Sequence, residues 1–196
     1  MTIQARCKNI CRRLRADANK GSAAIEFAMV APIFFVLLMG TIEAGIMFFA
    51  QSALQNALND AARLVRTGQT ACFTKDSGGN CVAMTAAQFR TQLCSEVSAI
   101  LLDCSTTGVQ FDINAYSSGF SSASNASPLT AGNLPNLTTF NVGVACDVVL
   151  IRAFYKWPVF TPGLNWFLVN MTGNYHLLAS AAAFRNEPYN ANAAGC

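Results

Sequence analysis

Four residues near the start of the chain, Gly21, Ser22, Glu26 and Phe27, have types and spacing that suggest chemistry. Gly21 has no side chain, so the backbone there can take conformations, extended ones included, that other residues adopt less freely. Glu26 stands at the edge of an apolar run, where a carboxylate is costly and needs a reason. Its simplest placement is at headgroup level, facing water. Glu43 is a second carboxylate inside the same run. Eight cysteines supply most of the remaining reactive side chains. His176 is the single histidine, so no second imidazole is present to share a metal, and it reads as structural. No Gly-rich phosphate loop, nucleophile elbow or zinc-spaced cysteine set occurs. The reading therefore assigns no catalytic residue, no metal site and no cofactor, and the chain is not read as an enzyme.

The element that positions Gly21, Glu26 and Glu43 is a membrane helix. Residues 28–40 carry no charge and a single proline, Pro32. At about 1.5 Å per residue, residues 27–49 make a helix of roughly 35 Å, enough to cross a hydrocarbon core of about 30 Å. Pro32 removes one backbone bond, a defect that a membrane helix tolerates. Gly40, Ala44 and Gly45 form a small-residue patch that lets helices approach closely. Glu43 lies beside this patch and either packs against a partner helix or snorkels outward. The helix is predicted to continue past the membrane. Leu54, Leu58, Ala61, Ala62 and Val65 recur at helical spacing, with Gln51, Asn56, Asn59, Asp60, Arg63 and Arg66 between them. Thr67-Gly68 is the predicted stop, with Gly as the cap and two arginines in the last turns.

The 196 residues suit one domain beside a membrane segment. The formal net charge of +3 hides an asymmetry. Residues 1–20 hold six basic side chains against one acidic, and the rest of the chain holds seven against nine. The basic part flanks a membrane helix and sets its orientation, because Lys and Arg stay cytoplasmic. It is not a nucleic-acid patch. Everything after the helix is placed outside the inner face. The cysteines agree with that topology. Cys7 and Cys11 precede the helix and stay reduced, whereas Cys72, Cys81, Cys94, Cys104, Cys146 and Cys196 follow it and read as up to three disulfides.

Gly21-Ser22-Ala23-Ala24-Ile25-Glu26-Phe27, set between a basic leader and a spanning helix, resembles the processing site of type IV prepilins. The Glu-Phe pair is similar to the Flp and pseudopilin branch of the tight-adherence (Tad) pilus system. Glu43-Ala44-Gly45, Ala61-Ala62-Arg63 and the Arg185-Asn186-Glu187-Pro188 ending resemble TadE-like proteins. The resemblance implies cleavage between Gly21 and Ser22 by a membrane-embedded prepilin peptidase. It implies that Glu26 meets the free Ser22 ammonium of the next subunit. It also implies partners: a major Flp-type pilin, a second pseudopilin and an inner-membrane assembly platform driven by a cytoplasmic ATPase. Ser22 stands where type IVa pilins carry Phe.

The exported part reads as an α+β head of the pilin-like kind, a small antiparallel sheet with one further helix, packed on the long N-terminal helix. Residues 1–21 are a basic leader, 22–50 the transmembrane helix, 51–68 its amphipathic extension and 69–196 the head. Turn residues Asp76-Ser77-Gly78-Gly79-Asn80 bring Cys72 and Cys81 close. Residues 85–103 read as a helix capped by Thr85. Such a helix puts Cys94 and Cys104 about 15 Å apart along its axis, beyond the disulfide reach of about 7 Å. Cys104 is then paired with Cys146, and Cys94 with Cys196. Strands are predicted at 109–116, 139–155 and 175–185, the second central, with a long surface loop over 117–138. The aromatic loop 157–167 is read as plugging the core beneath the sheet, with a binding surface as the alternative. The function expected is a structural minor pilin or pseudopilin that sits in the bacterial inner membrane with its head in the periplasm, and that reaches the exterior within an adhesive pilus. The alternative is an uncleaved, signal-anchored periplasmic binding domain.

Overall fold

The computed structural model describes residues 3–98, 103–104, 108–123, 126–137 and 139–189, with side chains from Gly21 onward. Helix α1 runs unbroken over Ile3–Arg66 with Pro32 inside it. From Gly21 to Met39 almost every residue is exposed, and the helix there is long and apolar enough to cross a membrane. From Gly40 on, one face becomes buried. Met47, Ala50, Leu54, Ala57, Leu58, Ala61, Ala62 and Val65 form that face, at the spacing of an amphipathic helix. One helix thus carries an exposed apolar stretch and a buried apolar face in series.

The stop falls where the arginine-rich last turn meets Gly68. Gly68 has φ +73°, and its amide donates to the Val65 carbonyl at 3.0 Å. A Cβ there would also meet the Tyr189 ring at 2.3 Å, so the turn needs glycine on two counts. The Tyr189 hydroxyl is pushed up from its ordinary range by burial, then by the charge of Asp147. The chain's ending holds this corner from outside. The Glu187 amide donates to the Arg66 carbonyl at 2.9 Å, and the two side chains pair at 3.0 Å.

A short hairpin follows, β1 (Thr74–Lys75) and β2 (Cys81–Val82), closed by the Cys72–Cys81 disulfide. Helix α2 (Ala86–Val97) opens with a capping box between Thr85 and Gln88. Its buried stripe is Phe89, Leu93 and Val97. Three strands then make an antiparallel sheet in the order β3 (Val109–Tyr116), β4 (Val148–Pro158), β5 (Tyr175–Arg185). A one-turn helix, α3 (Asn165–Leu168), lies between β4 and β5.

The sheet is covered on both faces. Val149, Ile151, Ala153, Tyr155 and Trp157 of β4 join the buried faces of α1 and α2 in the main core. Phe89, Phe111 and Phe140 meet there with ring centroids 5.1–6.3 Å apart. On the opposite face, Phe154 packs with Leu134 and Met171. The stretch expected as a long surface loop is in part a cover: the Leu137 amide donates to Gln110 Oε1 at 3.1 Å. On the same face Arg152 forms a two-pronged pair with Asp112, its direct cross-strand partner, and donates to the Ala126 carbonyl at 2.7 Å. The Asp112 carboxylate holds the Arg152 guanidinium above its ordinary value, against the opposing effect of burial. The outer edge of β5 is met by α1, where Gln51 donates to the Ala179 carbonyl at 2.6 Å and Gln55 to that of Ala181 at 3.4 Å.

Three expectations change. The helix predicted to reach 103 ends at Val97, and residues 99–102 lie outside the described set. Because it ends early, Cys94 and Cys104 approach to a Cα distance of 5.9 Å and form a disulfide, the pairing the longer helix excluded. The assignments Cys104–Cys146 and Cys94–Cys196 therefore fall. Cys146 is itself disulfide-bonded, and Cys196 lies outside the described residues. The strand predicted from 139 begins only at Val148, because Gly143 (φ +66°) and Cys146 (φ +73°) leave the extended region. Phe140 keeps one parallel bridge to Ile113.

Candidate functional site

The functional residues lie on two levels of α1. At the lower level, Gly21, Ser22, Glu26 and Phe27 are all exposed on the helix surface. The Ser22 hydroxyl donates to Glu26 Oε1 at 3.0 Å, an i, i+4 contact within one turn. Nothing lies within 4 Å of a Cβ built on Gly21. Its lack of a side chain answers no packing need, and inside a helix a glycine costs about 1 kcal/mol relative to alanine. The Gly21-Ser22 bond is thus presented on a weak point of an otherwise strong helix. The leader side chains, Cys7 and Cys11 among them, lie outside the described residues.

The upper level is where the head first touches the helix. Gly40 lies directly under Leu164, whose Cδ1 would sit 2.2 Å from an added Cβ. One turn further on, Glu43 is only 6% exposed. Its carboxylate accepts the backbone amides of Phe160 at 2.6 Å and Thr161 at 2.8 Å. Glu43 is thus fastened to a loop of its own chain rather than turned outward. Ala44 is half-buried beside it, and Gly45 faces out. The small-residue patch is thus divided between the head and the outside. Sequence reasoning missed this clasp, because its donors are main-chain amides 117 and 118 positions away.

The clasped loop does not plug the core. Trp157, Val159 and Thr161 are buried, but Phe160 is 64%, Trp166 78% and Phe167 69% exposed. The loop's polar groups are turned inward. Trp166 Nε1 donates to the Gly163 carbonyl at 2.9 Å, and the amides of Phe167 and Leu168 donate to the Leu164 carbonyl at 3.0 Å. The Asn174 side chain donates to the Val159 carbonyl at 2.7 Å, and His176 Nδ1 lies 2.5 Å from the Leu168 carbonyl. His176 is a fastening of this loop, in line with a structural role. Among the described residues no group of three or more His, Cys, Asp or Glu is placed to hold a metal ion.

Residues 21–63 match the TadE-like protein family. Over that segment the chain is similar to TadE-like proteins. The match opens on Gly21, the residue at the candidate cleavage site, and closes on Arg63 within the amphipathic part of α1. It takes in both glutamates. The head, including the Arg185-Asn186-Glu187-Pro188 ending, lies beyond the match. No curated protein and no solved structure matches the chain.

Proposed function

We propose that this TadE-like chain is a minor pilin or pseudopilin that is cleaved after Gly21 in the inner membrane and takes part in assembling a Tad-type adhesive pilus. The observation that carries the reading is the position of Gly21-x4-Glu26-Phe27. It is exposed, it opens the apolar segment of α1, and it begins the family match. Cleavage there frees the Ser22 amine and removes the basic leader. Glu26, which holds only its own Ser22 hydroxyl before cleavage, then offers its carboxylate to the new ammonium of a neighbouring subunit. The expected partners are a major Flp-type pilin, a second pseudopilin, the prepilin peptidase and the inner-membrane platform. The head stands in the periplasm, where its disulfides form.

Gly21→Trp tests this reading in cells that hold an active prepilin peptidase. The full-length precursor should accumulate in the membrane fraction. A band that still shifts to the processed size contradicts it.

A further inference from the structure

The three exposed aromatic side chains of the clasped loop, Phe160, Trp166 and Phe167, have a definite height on α1. If the hydrocarbon core begins at Phe27, its 30 Å are used up after about 20 residues, near Met47. Gly40, which receives Leu164, then lies about 10 Å inside the outer boundary, and Glu43 about 6 Å inside it. The loop fixed to them descends to the same depth. We infer that residues 159–169 form an interfacial foot that enters the outer leaflet of the bilayer and seats the head on the lipid surface. This inference rests on the reading that α1 spans a membrane.

Three observations point to lipid as the occupant. First, the chain carries no Asp, Glu, Lys or Arg between Lys156 and Arg185, and the residues at the tip are those of an aromatic belt. Second, a non-helical backbone at membrane depth must have its polar groups satisfied within the protein. Several groups of the loop meet that condition. The Phe160 and Thr161 amides go to Glu43, the Val159 amide goes to the Asn174 carbonyl at 3.1 Å, and the Trp166 indole goes to the Gly163 carbonyl. A loop built only to face water has no need of an internal partner for an exposed indole N–H. Third, the apolar surface is continuous. A cleft of about 370 Å³ between α1 and β5, lined mainly by apolar side chains such as Met47, Phe48, Leu168 and Leu177 with Gln51 and His176 among them, runs from the foot to the exposed side of the helix. Glu43 gains from the same arrangement, because the loop screens its charge from hydrocarbon.

The chain has two tryptophans, and Trp157 is buried in the head while Trp166 is at the tip. The full-length Trp157→Phe protein, reconstituted into phosphatidylcholine vesicles, therefore reports on Trp166 alone. In lipid brominated near the headgroup end of its acyl chains it should lose most of its emission, and its spectrum should be blue-shifted and protected from aqueous acrylamide. The wild-type minus Trp166→Phe difference gives the same readout with Trp157 retained. Emission that stays red, open to acrylamide and indifferent to bromine, with α1 resistant to carbonate extraction, overturns the foot and leaves the membrane anchor standing. Protection from acrylamide without bromine quenching assigns the loop to a second copy of the chain instead, and also overturns it. Release of the protein by carbonate removes the membrane reading and the foot together.

Discussion

Glu43 is the residue whose role the structure changes most. In sequence it is a second acidic defect in a spanning helix, and its neighbours Gly40, Ala44 and Gly45 suggest a helix partner. In the folded chain its two oxygens take one backbone amide each, from Phe160 and Thr161. Charge-assisted bonds of this kind are roughly twice as strong as neutral ones. Glu43→Ala leaves two amides of a largely closed loop without an acceptor, at about 1–3 kcal/mol for each one left unsatisfied. The expected outcome is a lowered thermal midpoint in detergent and earlier protease cleavage within 159–169, while Glu43→Gln, which keeps one oxygen acceptor, loses less. Unchanged proteolysis of that loop in Glu43→Ala would show that the clasp does not hold it. The sequence left Glu43 two courses, a partner helix or an outward-turned side chain, because a carboxylate in an apolar run is costly. It did not announce the partner found, since main-chain amides of a distant loop leave no signature in residue type. The exposed tip was hidden for a related reason: Trp157 and Trp166 look alike in a string, yet one is 4% and the other 78% exposed.

At the scale of elements, local signals were read well and distant ones poorly. The amphipathic half of α1, its Gly68 stop, the Thr85 cap and the strands at 109–116 and 175–185 all rest on periodicity and capping within a few residues. The Cys72–Cys81 hairpin was legible in the same way. Asp76 Oδ1 accepts the amides of Gly78 and Asn80 at 2.9 and 2.8 Å, and Gly79 takes φ +80° to close the turn. Hydrogen bonds from the Asn80 side chain first, and then from its backbone, hold the Asp76 carboxyl below its ordinary range. A depressed folded value means that the carboxylate's contribution is present above the ordinary aspartate range and is lost as pH falls through the folded value. The protection factors of Gly78 and Asn80, taken against the intrinsic exchange rate at each pH, should therefore fall on acidification through that window, and in Asp76→Ala they should be low at every pH. Protection that does not change with pH in the native chain would remove Asp76 from the turn's account. By contrast, α2 ends at Val97 with no Gly or Pro to announce it, and Ser98-Ala99-Ile100-Leu101-Leu102 continues the apolar pattern in sequence. What brings Cys104 to Cys94 is a tertiary bond, which helical periodicity cannot express. The late start of β4 is of the same kind, since Cys146 holds a left-handed backbone where alternation suggests an extended one.

The whole molecule is one long helix whose C-terminal part, from Gly40 to Arg66, carries the α+β head. Its stretch from Gly21 to Met39 is almost wholly exposed, and the head grips the helix from Gly40 through Arg66 by apolar packing, by Gln51 and Gln55 on the edge of β5, and by the Glu187–Arg66 pair. Under the proposed function, this exposed stretch is where lipid gives way to neighbouring subunits, and removal of residues 1–21, with their six basic side chains, frees the new N-terminus for that exchange. Cleavage after Gly21 is thus the step on which the proposed function turns. N-terminal sequencing of the protein purified from membranes of cells with an active prepilin peptidase measures it directly. The predicted result is a chain that begins Ser22-Ala23-Ala24-Ile25-Glu26-Phe27. A chain that begins at Met1 in those cells contradicts the account and leaves an uncleaved, signal-anchored domain in its place.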